Sequence, residues 1–203
     1  MKELLALIAI LSVLTECGRP DRYTPRNGDI IFQTSLSSQS VAIQRATKSK
    51  YSHMGIVYLQ DSRPLVFEAA GSVRLTPLDD WVARGEGGRF IVKRLSESDE
   101  LLSDKSIERM LSVGKTFSGK GYDPYFEWSD ERMYCSEVVW KIFKRALNIE
   151  IGELQTMQDF DLSDSLVKAK IHERFGDSFP IHETVISPAA IFDSKLLVTV
   201  YEQ

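Results

Sequence analysis

Tyr134-Cys135-Ser136-Glu137-Val138-Val139-Trp140 stands where an aromatic, acidic loop gives way to a helical pattern. Val139, Ile142, Phe143 and Ala146 follow Cys135 at helical spacing, which puts the thiol in the first turn, on the face that packs inward. A helix N-terminus carries partial positive charge and unpaired N–H groups, which stabilise a thiolate and a developing oxyanion alike. Cys135 is therefore a candidate nucleophile. Taken alone, a cysteine here is more often a small buried apolar residue. The choice between the two depends on whether the chain supplies a base and a group to orient it.

The 203-residue chain has one other cysteine, Cys17, at the end of an apolar leader. Lys2 precedes an apolar or small run from Leu4 to Leu14, too short to span a bilayer and of signal-peptide length. Leu14-Thr15-Glu16-Cys17 is similar to a bacterial lipoprotein cleavage box, although Glu16 fills a position that is normally small. Gly18, Arg19, Pro20 and Asp21 stop any helix at once. The expectation is a signal peptide over residues 1–17 and export to the periplasm or cell envelope. Whether Cys17 is lipidated, and so anchors the chain to the membrane, stays open at this point. Residues 18–203 have the size of one domain with a proper core. That domain holds a single thiol and so no internal disulfide, and an exported protein that keeps one needs a chemical reason to keep it.

The formal net charge of −4 is spread as mixed signs along the chain, which points away from nucleic acid. One cysteine and three scattered histidines show no metal-ligand spacing, so neither zinc nor another cofactor is expected. No repeat, linker or second membrane-length stretch divides the body.

Asn27-Gly28-Asp29 reads as a turn into a short strand, Ile30 to Phe32, and a loosely amphipathic helix starts near Ser38. Strands Met54 to Gln60 and Leu65 to Ala70 follow, joined by the loop composition Asp61-Ser62-Arg63-Pro64. Further strands are expected at Val73 to Thr76, Phe90 to Leu95 and, at an edge, Leu196 to Tyr201. One helix is expected from Asp99 to Phe117, ended by Gly119, and another from Leu166 to Phe175 in an otherwise irregular stretch from Asn148 to Glu183.

A cysteine nucleophile needs an imidazole, and the chain has His53, His172 and His182. His172 lies in a charged helical stretch and His182 in a loop, both most simply solvated surface. His53, in Tyr51-Ser52-His53-Met54-Gly55, opens the best-formed strand. Its plain role would be to cap a sheet, but Glu68 stands isolated in the apolar strand Leu65 to Ala70, and a buried carboxylate needs a donor. A turn centred on Gln60 and Asp61 sets His53 opposite Glu68, whereas a loop of Asp61 to Pro64 sets Glu68 opposite Val57. Both registers leave His53 and Glu68 on one face, because they differ by an even number of residues. Gly55 shares that face and leaves room there, so the Cys135 helix is expected to pack on it. Thiol, imidazole and carboxylate would then meet as nucleophile, base and orienter.

These residues, with Gly28-Asp29-Ile30-Ile31-Phe32, Gly119-Lys120-Gly121-Tyr122-Asp123, Trp128-Ser129-Asp130 and Ile186-Ser187-Pro188, resemble the YiiX-type, circularly permuted papain-like amidases related to NlpC-type cell-wall peptidases. His53 precedes Cys135, which is the permuted order. The resemblance implies an α+β, permuted papain-like fold with an antiparallel sheet packed against the cysteine helix. It also implies Cys135 as nucleophile, His53 as base, Glu68 as third polar residue and Tyr122 near the oxyanion, with Gly121 standing where the family often has proline.

Asp123 and Tyr134 join Tyr122 as candidate substrate-binding residues, Asp123 and Glu127 as holders of a substrate amine. Packing and solvation account for these residues equally well. Ser136 and Glu137 are expected to serve the helix end. The function expected is hydrolysis of an amide through a thioester, in a peptide or peptidoglycan fragment of the envelope. A lipid acyl hydrolase or acyltransferase and a non-catalytic envelope ligand-binding module are the alternatives.

Overall fold

The computed structural model describes residues 22–203. The expected signal peptide and Cys17 lie outside the described residues. Strand β1 (Ile30–Gln33) is wholly buried and leads to the two-turn helix α1 (Ser40–Thr47), which ends on Lys48 in the left-handed conformation. Strands β2 (His53–Gln60) and β3 (Arg63–Ala70) form a hairpin, and β4 (Ser72–Pro77) turns back beside β3.

The hairpin turn is Asp61-Ser62, both residues at positive φ, as the tight two-residue turn that matches strand twist requires. Arg63 and Pro64 belong to β3 instead of the loop. Pro64 is tolerated because it faces Leu59 on β2 and precedes the first β4 pairing at Leu65. Val57 therefore faces Val66, a register midway between the two expected, and the parity that keeps His53 and Glu68 on one face survives.

Proline 77 hands the chain to a short helix that the sequence did not announce, α2 (Leu78–Ala83), followed by β5 (Ile91–Leu95). The expected helix from Asp99 breaks into α3 (Ser98–Leu101) and α4 (Asp104–Phe117), because the Ser103 side chain accepts the Ser106 N–H and caps a new start. Helix α5 (Cys135–Leu147) follows the aromatic loop. Beyond it the stretch expected to be irregular contains β6 (Gln155–Thr156) and α6 (Ser165–Phe175), and β7 (Thr184–Val185) pairs with β6. Helix α7 (Pro188–Phe192) and β8 (Leu197–Glu202) close the chain, β8 at the sheet edge as expected.

The main sheet is antiparallel in the order β4-β3-β2-β1-β5-β8. Its two faces have different covers. Met54, Ile56, Tyr58, Phe67 and Ala69 join Val138, Val139, Ile142 and Phe143 of α5 in the larger core. Burying each of those helix side chains is worth about 1.5–3 kcal/mol, which is what holds α5 in place. Ile31, Val57, Val66 and Val92 point to the other face, where Leu78 and Trp81 of α2 cover them.

The face expected for α5 is therefore corrected. The helix lies on the Met54, Ile56 and Tyr58 side, where the bulky apolar side chains are. Gly55 makes room for the adjacent strand, since a Cβ there would stand 2.5 Å from Val66 Cγ1 and 2.7 Å from the Phe67 carbonyl oxygen.

Candidate active site

His53 is the first residue of β2 and Cys135 the first of α5, so thiol and imidazole meet at the end of the sheet although His53 shares the face opposite the one α5 covers. His53 Nε2 and Glu68 Oε2 are 2.6 Å apart. An ionised carboxylate only accepts, so Nε2 carries the hydrogen and Nδ1 is left for Cys135. Trp81 stacks on the imidazole at 5.8 Å between centroids and 23° between planes, closing the side away from the helix.

Glu68 has no solvent exposure. Its Oε1 accepts from Thr76 Oγ1 at 2.6 Å and from the Arg84 guanidinium. Burial alone would raise its pKa, but the hydrogen bonds from His53 and Thr76 and the charge of Arg84 hold it down at about 2. Burial likewise opposes the imidazolium of His53. Hydrogen bonding to Cys135 and then to Glu68 overrides it and raises His53 to about 9. At neutral pH the site holds a carboxylate anion and an imidazolium beside the Cys135 sulfur.

Thr76 and Arg84 are the contributors that sequence reading missed. Thr76 had a faint signal, because it sits opposite Val66, two residues from Glu68 on the next strand and on the same face. Arg84 follows an unannounced helix and had none.

The remaining candidates divide. Tyr122 lines a cleft with Cys135, and its hydroxyl accepts from Gln39 Nε2 at 3.0 Å. Burial, then the nearby Cys135 charge, pushes its pKa well up, so it stays a neutral phenol. Tyr134 also lines the cleft, while its hydroxyl accepts the Ile186 N–H at 3.2 Å.

Asp123 is fully buried and spends its carboxylate on the N–H groups of Tyr125 (2.9 Å) and Glu127 (2.7 Å). It shapes the aromatic loop, and the expectation that it holds a substrate amine gives way. Glu137 serves the helix end by accepting the Tyr134 N–H, with Lys141 bonded to its other oxygen at 2.7 Å. Ser136 instead donates to the Ile186 carbonyl, clamping the chain after β7 onto α5. His172 and His182 are exposed, as expected.

The cleft, open to solvent, takes in about 810 Å³ between Cys135 and the helices α1 and α6, with walls of Ile43, Phe126, Val167, Ile171, Phe175 and Phe179. The first N–H groups of α5 have no helical acceptor, and the Tyr122 hydroxyl lines the same cleft as Cys135 and Ser136. A thiol, an imidazole, a buried carboxylate and the free N–H groups of a helix start thus meet at one place. The arrangement suits acyl transfer.

Known proteins share this sequence and fold. YiiX of Escherichia coli strain K12, an uncharacterised protein, is 47% identical over 181 residues, covering 89% of this chain and 88% of its own. The crystal structure of YiiX from Escherichia coli O157:H7, described as a metalloprotein, matches with a TM-score of 0.86 at 48% identity, over 89% of this chain and 99% of that one. The model of the permuted papain-like amidases of the YaeF/YiiX type, the C92 family, matches residues 24–201. The chain belongs to that family.

Proposed function

We propose that the protein is an exported cysteine amidase that cleaves an amide in a peptide or peptidoglycan-derived fragment through a thioester on Cys135. The observation that carries this reading is the buried His53–Glu68 pair, fixed by Thr76 and Arg84 and presented to a thiol at a helix start. With its proton already on His53 Nδ1, the Cys135 sulfur attacks the carbonyl carbon as a thiolate, the carbonyl π bond opens, and the negative oxygen is held by the helix N–H groups and Tyr122. When the C–N bond breaks, His53 Nδ1 gives its proton to the departing amine. Water then attacks the thioester, His53 takes its proton, and the thiolate leaves.

A second reading, hydrolysis or transfer of a lipid acyl group, is favoured by one feature, the apolar cleft walls next to Cys135. The same attack serves an ester, and an apolar wall favours an acyl chain over a charged peptide. A non-catalytic binding role would leave the buried charge pair of His53 and Glu68 without a use. As to a metal, no group of three or more His, Cys, Asp or Glu among the described residues is arranged to hold one, and no step is assigned to it.

The deciding experiment incubates the purified protein with muropeptides, amino-acid amides and phospholipids and identifies the acyl group trapped on Cys135 by mass spectrometry. An amide-derived adduct is expected. A fatty-acyl adduct moves the assignment to the second reading, and no adduct from any member of the panel sinks both. Export is tested by fractionation, with removal of the leader expected and intact Met1 in the cytoplasm the opposing result; fatty-acid labelling of Cys17 would establish an anchor.

A further inference from the structure

Three parts of the chain far apart in sequence meet at the cleft through one chain of hydrogen bonds. Arg174, near the end of α6, donates from Nη2 to Gln39 Oε1 at 2.5 Å and from Nη1 to the Pro124 carbonyl at 2.8 Å. Gln39, just before α1, donates from Nε2 to the Tyr122 hydroxyl at 3.0 Å. A guanidinium has five N–H groups and no acceptor, so it can face only the oxygen end of the Gln39 amide. That fixes the orientation of the amide, and its NH₂ end must face Tyr122. The Tyr122 oxygen is then an acceptor toward Gln39, and its own hydrogen is free to be given elsewhere. No protein acceptor takes it among the described residues, and Tyr122 shares the cleft lining with Cys135.

We propose that Gln39 and Arg174 are positioning residues that set the polarity of the Tyr122 hydroxyl, so that its hydrogen points to the oxyanion formed at Cys135. This rests on the acyl-transfer reading given above. Without the arginine the Gln39 amide can turn over, and its oxygen would then draw the phenol hydrogen away from the reacting carbonyl. Because Gln39 precedes α1 and Arg174 lies in the last turn of α6, the same bonds tie the shape of the cleft wall to the readiness of the oxyanion donor. A neutral phenol is the form this role needs, and burial keeps Tyr122 in it.

Gln39→Glu tests the inference, because a carboxylate still accepts from Arg174 but accepts from Tyr122 too, reversing the hydroxyl. With p-nitrophenyl butyrate as probe, the rate of Cys135 acylation at saturation is expected to fall about 10²-fold, the worth of one oxyanion donor, with the apparent affinity for the probe little changed. Tyr122→Phe should lose a similar factor, and Gln39→Glu added to Tyr122→Phe should lose nothing more. A further full loss in that background would mean that the new charge acts directly, and would overturn the relay.

A second readout needs no turnover. In protein labelled with ¹³C-tyrosine, the Tyr122 ring carbon bearing oxygen should shift and its titration should move upward in Gln39→Glu, with Gln39→Met in between. An unchanged Tyr122 resonance in Gln39→Glu overturns the proposal even if the wild-type protein acylates. Wild-type protein that never acylates, yet shows the shift, refutes the acyl-transfer reading and leaves the hydrogen-bond polarity standing.

Discussion

Glu68, in β3, and Asp29, just before β1, are both without solvent exposure and both bonded to an arginine, yet one shares its carboxylate with an imidazole and the other does not. Asp29 accepts from Arg94 through two nitrogens, at 2.6 and 2.9 Å, from the Tyr23 hydroxyl at 2.7 Å and from the Arg26 N–H at 3.0 Å. Both its oxygens are committed, and burial followed by the Asp29 charge keeps Tyr23 protonated far above neutrality. Glu68 divides its oxygens differently. One is held by Thr76 and Arg84, and the other is reserved for His53, which is raised to about 9 and so gains or loses its proton within reach of ordinary buffers.

Position in the sheet separates them as well. Along β1 and β2, Gln33 lies beside His53 while Ile30 lies beside Ile56, so Asp29 sits at the opposite end of β1 from the imidazole. A buried, neutralised carboxylate is thus common to both sites. Its neighbour's ability to gain and lose a proton distinguishes the active one.

Removing the carboxylate charge at each position should break the symmetry most strongly. Glu68→Gln keeps the size and a hydrogen-bonding end but lets the amide present either atom, so kcat toward a Cys135-acylating substrate should fall by about 10²–10⁴ with KM little changed. The alkaline limb of kcat/KM, set near pH 9 by loss of the His53 proton, should move to lower pH, because the imidazolium has lost its anion. A variant with normal kcat and an unmoved limb would make Glu68 a structural carboxylate like Asp29.

Asp29→Asn should do the reverse. It leaves the largely buried Arg94 charge uncompensated and should cost about 3 kcal/mol in denaturant unfolding while the pH limbs of activity stay in place. The pH dependence of stability should separate the two sites again. His53 rises from 6.5 to about 9 on folding, so its contribution is complete below pH 6.5 and lost as pH rises through 9. Glu68 falls from 4.5 to about 2, so its contribution is complete above pH 4.5 and lost as pH falls through 2. Thermal midpoints should show a plateau between pH 4.5 and 6.5. Asp29→Asn should lower that plateau, and Glu68→Gln should flatten the curve on both sides of it. A Glu68→Gln curve with both flanks intact would sink the assignment.

The same contrast explains what could be read from the chain in advance. That His53 and Glu68 share a face follows from parity, and every tight hairpin considered preserves it, so the pair was legible although the register was off by two. The helix start at Cys135 was legible from spacing alone. The face that α5 covers was misread because Gly55 drew attention to itself. The sizes of Met54, Ile56 and Tyr58 against Gly55 and Val57 carried the correct signal, since a long amphipathic helix follows the larger apolar surface. Arg84, Gln39 and Arg174 had no such signal. Their contacts depend on how a short helix, a loop and the end of α6 are carried over the sheet, and Gln39 and Arg174 are 135 positions apart.

Arg84 gives the smallest and most discriminating test. It is partly exposed, so water replaces much of what its charge contributes, and a large loss of stability is not expected. Its guanidinium nevertheless draws the Glu68 charge toward Oε1 and away from the oxygen that His53 uses. In Arg84→Met that charge acts on the imidazole undiluted, and the His53 proton is held more tightly. The alkaline limb of kcat/KM should therefore move to higher pH, opposite in sign to the shift in Glu68→Gln, with kcat changed only a few-fold because Thr76 still holds the carboxylate in place. Measuring both variants against the wild-type profile decides the matter. Shifts of the same sign would mean that Arg84 supports the carboxylate mechanically, as Arg94 supports Asp29, and that its charge plays no part in tuning the base.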